Sequence, residues 1–150
     1  MKKILAVILA LVLACAALVT ASAAENGPMY FRLDGVEGSA KDAAHEKWID
    51  VTDCTVQTDD DGHVTGFTFT HHIDPATTDI LKAYMSGRWF RSAQMEICQC
   101  AAGKQHTVRT IRMEMLKITD VEVFETADGS VAETVTLTVQ TGSITDTPIE

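Results

Sequence analysis

Along most of the chain, apolar and polar residues alternate with a period of two, and turn-forming residues break the alternation at short intervals. Met29-Tyr30-Phe31-Arg32-Leu33 is the first such stretch. Asp34-Gly35 and Glu37-Gly38-Ser39 then open a polar loop reaching to about Glu46. Trp48 to Thr52 and Thr55 to Thr58 read as short strands, and Thr58-Asp59-Asp60-Asp61-Gly62 as the turn after them. A strand over Val64 to Ile73 follows. Its Phe67, Phe69, His71 and Ile73 face one way, and Thr68, Thr70 and His72 the other. Successive side chains on a strand point to opposite sides, so His71 and His72 cannot hold one ion between them.

At Asp74-Pro75 the period changes. Asp74 is a good N-cap, Pro75 suits the first helical position, and Thr77 is a second cap candidate. Ile80, Leu81, Tyr84 and Met85 fall on one helical face, and Gly87 is the expected stop. Alternation then resumes over Ser92 to Cys100, with Ala93, Met95 and Ile97 on the apolar face. Ala102-Gly103-Lys104 is a hairpin turn. Val108 to Phe124 is one long strand or two, with a phase slip at Met115-Leu116-Lys117 that predicts a bulge. Asp128-Gly129 is another hairpin turn, and Val135, Leu137 and Val139 alternate after it. The pattern predicts a mainly β, antiparallel protein of seven or eight strands, a small barrel or sandwich with one short helix packed on its end.

The first 24 residues are of a different kind. Lys2 and Lys3 precede an unbroken apolar run from Ile4 to Val19, and small residues follow through Ala24. This is the layout of a secretory signal peptide cleaved after Ala23 or Ala24. The run falls short of the roughly 20 residues that a membrane span needs. Val12-Leu13-Ala14-Cys15 resembles a lipidation signal, but the apolar run continues past Cys15, which argues for ordinary cleavage. The expected mature domain is residues 25–150, secreted or periplasmic, and free of the membrane unless lipidated at Cys15.

Removing residues 1–24 takes away two lysines and no acid, which moves the net charge from −9 to −11. Such a surface repels phosphate backbones and excludes nucleic acid as a partner. Cys54, Cys98 and Cys100 are an odd set, so at least one thiol is free or pairs between chains. One internal bridge from Cys54 to Cys98 or Cys100 remains open. A Cys98–Cys100 bridge does not, because residues two apart on a strand are too far apart.

Candidate chemistry is sparse. The run Asp59 to Asp61 lacks the later ligands of a calcium loop and reads as a hairpin. His45 and Cys54 would make a thiol–imidazole pair if they met, yet nothing in the sequence orients them. Cys98, Cys100, His106 and Cys54 would make a soft metal site only if three or four converged. There is no Gly-x-Ser-x-Gly elbow, phosphate loop or His-Glu-x-x-His. No catalytic residue, cofactor or metal is expected.

The order of these segments resembles the Hcp family, the haemolysin-coregulated tube proteins of bacterial type VI secretion systems. The likeness is carried by MYFRLDGVEGSAKD at 29–42, by His45 to Val51, by Phe69-Thr70-His71-His72-Ile73-Asp74, by Leu81 through Ser86-Gly87-Arg88, by Phe90 to Glu96, by Met115 to Val123 and by Glu133 to Val139. It implies an antiparallel β-barrel of two sheets with a flanking helix. It further implies hexameric rings that stack into a hollow, non-catalytic tube. Its partners would be other copies of itself, secretion effectors, and spike and sheath components. His71 stands where the family tends to have lysine. Two features depart from the family pattern: the leader, and an ending at Asp146-Thr147-Pro148-Ile149-Glu150 without a further strand, which is expected to leave an open sheet edge. They support an alternative reading, an exported periplasmic binding module built on the same fold, metal-binding through its thiols and outside any tube.

Overall fold

Each alternating stretch becomes a strand in the computed structural model, which describes residues 17–22 and 27–149. The strands are β1 (Ala17–Ser22), β2 (Met29–Leu33), β3 (Ile49–Val51), β4 (Asp53–Thr58), β5 (Val64–His72), β6 (Trp89–Ala101), β7 (Lys104–Glu125) and β8 (Val131–Asp146), and the one helix among the described residues is α1 (Ala76–Ser86). All pairings are antiparallel, in the order β1-β4-β5-β8-β7-β6-β2-β3. The two sheets of the expected barrel are therefore one continuous, curled sheet. The bulges supply the bends. Met115 takes a left-handed conformation (φ 55°) at the predicted phase slip without a register shift, and the β7–β8 register shifts between Ile118 and Asp120 instead. An extra residue in one strand of a pair kinks it and increases its twist.

Turn chemistry sets the registers. Ala102 and Gly103 both take positive φ (52° and 73°), the two-residue hairpin that matches strand twist. At the β4–β5 turn, Asp59 Oδ1 accepts the N–H groups of Asp61 (3.0 Å) and His63 (2.9 Å). Inside the sheet Phe31 packs on Phe67 and Phe69, with ring centroids 5.1 and 4.7 Å away. Burying each such ring stabilises the fold by about 1.5–3 kcal/mol. Ile73 does not join this face as the alternation predicted. β5 ends at His72, and Ile73 turns outward at the strand's exit.

The helix starts and stops where expected. Pro75 is already helical (φ −57°, ψ −26°). Asp74 Oδ1 accepts the N–H of Ala76 (2.8 Å), and the Asp74 N–H donates to Thr77 Oγ1 (3.1 Å). At the other end Gly87 is left-handed, and the Arg88 N–H reaches back to the Ala83 carbonyl (3.1 Å). Its orientation differs from the expectation. The buried stripe is Ala76, Ile80 and Ala83, while Leu81, Tyr84 and Met85 are exposed. Two alanines let the helix sit close to the sheet, and that decides which side faces in.

The expected open edge is also placed differently. β8 lies inside the sheet between β5 and β7, so the end of the chain is not at an edge. The outer strand next to β1 is β4, and Ala17–Ser22 covers it from Ala17 opposite Thr58 to Ser22 opposite Asp53. These six residues belong to the stretch read above as a leader.

Candidate functional site

Two buried histidines each sit between a pair of carboxylates. His71 faces the core from β5, as alternation requires, and His72 faces solvent. His71 Nε2 lies 2.7 Å from Glu133 Oε1 on β8, and Nδ1 lies 3.4 Å from Asp74 Oδ2 at the start of α1. Nδ1 makes no hydrogen bond, so Asp74 acts on it through charge. Burial disfavours the imidazolium, but the two carboxylates outweigh it and push the His71 pKa up to about 9. Glu133 did not stand out in the sequence as a partner. The available signal was its parity: it shares the inward face with Val135, Leu137 and Val139.

His45, in the loop between β2 and β3, is also buried. Its Nδ1 is 2.6 Å from Asp42 Oδ2, and its Nε2 is 2.6 Å from Glu96 Oε2 on β6. The ring stacks on Tyr30 (4.2 Å, 11°) and meets Trp48 edge-on (4.8 Å, 85°). Gly38 makes this loop feasible, since a Cβ there would stand 2.4 Å from the Trp48 carbonyl oxygen. Burial and the Asp42 charge raise the Tyr30 pKa, and burial with the Asp74 charge raises that of Asp50.

The thiols do not converge. Cys54 is in the main core, where burial pushes its pKa up to about 11. Cys98 lies in a second cluster with Tyr30 and Ala40, and Cys100 is exposed. All three are free. His106 pairs across the hairpin with Gln99, which puts it on the opposite face from Cys98 and Cys100. His45 and Cys54 sit in separate clusters, so the thiol–imidazole pair does not form. At the β4–β5 turn, ligand atoms of Asp59, Asp61 and His63 lie within 4.8 Å of one another, all exposed. The Asp59 carboxylate is held low by the His63 N–H, which belongs to the turn itself.

The remaining feature is a pair of exposed apolar patches. Leu81, Tyr84, Met85 and Trp89 are exposed together where α1 meets β6, and Lys117 Nζ lies 5.9 Å from the Trp89 ring. A shallow groove beside them is floored by Ile118, Thr119 and Thr138. Val123, Phe124 and Val131 expose a second apolar group at the β7–β8 hairpin. Clustered exposed apolar side chains are common where a protein, membrane or ligand makes contact.

Residues 30–145 match the sequence model of the family described as type VI secretion system effector, Hcp. No curated protein matches the chain. Among solved structures, it is similar to Hcp1 from Salmonella typhimurium (TM-score 0.72, 22% identity, 80% of this chain and 87% of that one). It is also similar to a type VI secretion system effector from Yersinia pestis (0.67, 20%, 79% and 99%) and to the secreted protein Hcp3 from Pseudomonas aeruginosa (0.65, 18%, 81% and 99%).

Proposed function

The chain belongs to the Hcp family of type VI secretion proteins, and from that premise we propose that it is a structural subunit that assembles with itself into hexameric rings able to stack into a hollow tube. The family match over residues 30–145 carries the reading. The exposed apolar group on α1 and β6 supports it, because a ring contact needs such a surface. On this reading the protein works by shape and self-association rather than by catalysis, and its further partners are secretion effectors and spike or sheath components. The charged leader and apolar run support export, with cleavage near Ala24.

Electron microscopy of the purified chain beginning at Glu25 tests the assembly. Six-fold rings are expected, and monomers at high concentration would overturn it. Cell fractionation with N-terminal sequencing tests the export. A chain starting at Ala24 or Glu25 in the periplasm or medium is expected, and an uncleaved cytoplasmic chain would refute it.

A further inference from the structure

The loop joining β2 to β3 is held together internally. Its two arms bond to each other through Gly38 N–H to Lys47 O (2.8 Å), Ala40 N–H to Trp48 O (2.9 Å) and Lys47 N–H to Ala40 O (2.9 Å). Lys47 takes a left-handed conformation (φ 64°) that a free lysine avoids. At its start, Asp34 N–H donates to Ser92 O on β6 (3.1 Å). Val36 sits in the main core and Ser39 bonds the Asp50 side chain, which fixes the first arm; past Ser39, the His45–Glu96 bridge and the packing of Ala40 and Trp48 over Tyr30 and Cys98 keep the loop down. The loop is thus a small flap, and His45 ties it to β6.

We propose that His45 is a proton-operated latch for this flap. Each ring nitrogen faces a carboxylate oxygen at 2.6 Å. Both nitrogens donate only in the imidazolium form. When the buried ring loses a proton, one nitrogen presents a lone pair to a carboxylate oxygen 2.6 Å away, and that contact becomes repulsive. The other groups facing the ring do not replace the lost bond. Tyr30 offers its ring face and bonds by its hydroxyl to Gln105 Oε1 (3.5 Å). Trp48 offers its edge and carries the Arg32 guanidinium 5.1 Å from its centre. The nearby Asp50 carboxylate is a further acceptor, and the Cys98 thiol is paired with Thr107 Oγ1 (3.7 Å). Protonated, the latch is shut. Deprotonated, the flap lifts, which uncovers Tyr30 and Cys98 and widens the groove lined by Arg32, Trp48, Gln94 and Arg112. The proposal rests on this loop alone and is independent of ring assembly.

Trp48 reports the flap. In the full chain carrying Trp89→Phe, Trp48 is the only tryptophan. Its quenching by acrylamide is followed as pH is raised from about 5 to about 8. Quenching is expected to rise severalfold with pH. His45→Gln is expected to abolish the pH dependence. Glu96→Gln, whose amide can donate to a neutral imidazole, is expected to keep Trp48 shielded throughout, and it decides the matter if His45→Gln fails to fold. A flat profile in the parent chain, or an undiminished rise in either variant, overturns the proposal.

Discussion

At His71 the fold sets one cation against two carboxylates out of contact with water. The folded-state pKa lies near 9, above the ordinary 6.5. The folded chain therefore binds this proton more tightly than the unfolded chain. The resulting stability is fully present below about pH 6.5 and is lost as pH rises through about 9, worth about 3 kcal/mol at most. Urea titrations at pH 6.5 and pH 9.5 are expected to show this fall in the parent chain and its absence in His71→Ala. That variant leaves Glu133 buried without its partner, at a cost of about 3–5 kcal/mol near neutrality. The cysteines allow a second check. Burial raises the thiol pKa of Cys54 and of Cys98, while Cys100 is exposed. In the full-length chain carrying Cys15→Ser, a thiol reagent is expected to label Cys100 at once and the other two only on unfolding. Rapid labelling of all three would contradict the placement. That His71 and His72 face opposite ways follows from period alone. That His71 finds a partner 62 positions away does not, because parity names a side and not a neighbour.

Among the elements, α1 separates what is written locally from what is settled by packing. Asp74, Pro75, Thr77 and Gly87 mark its ends in the sequence, because capping is a matter between near neighbours. Its inward face was not legible. Ile80, Leu81, Tyr84 and Met85 form the more apolar side, yet the fold buries Ala76, Ile80 and Ala83 and leaves Met85 78% exposed. A helix pressed against a sheet needs small residues at the contact, and hydropathy does not register that requirement. The exposed side is then free for other copies. Met85→Lys and Leu81→Lys are expected to change unfolding stability by no more than about 0.5 kcal/mol, while Ile80→Ala costs about 2–5 kcal/mol. If the ring reading is right, sedimentation of the two lysine variants will show fewer rings. Full assembly of both would move the contact elsewhere on the surface. Met115 is the opposite case in part: adjacent apolar residues broke the alternation and its φ turns left-handed there, but the register shift of the expected bulge falls between Ile118 and Asp120.

For the whole molecule, the sheet order decides where the exposed edge lies. With β8 in the interior, the edge beside β4 is closed by Ala17–Ser22, whose Ala21 packs against the core. Removing residues 1–24 would strip that strand and leave backbone groups of Asp53–Thr58 unpaired. Hydrogen exchange is expected to be slow for the β4 amides that face β1 in the full-length chain, and faster in a monomeric chain beginning at Glu25. Equal rates would mean that β1 does not protect them. The sequence by itself determined the strands, turns and helix limits, because alternation, capping and left-handed turn residues act between neighbours in the chain. It also carried the family, because that lies in the order of the segments. Only the tertiary structure decided that β8 runs between β5 and β7, that three thiols lie apart, and that each buried histidine meets its carboxylates. Those outcomes depend on which distant strands pair, and a period of two leaves that choice open.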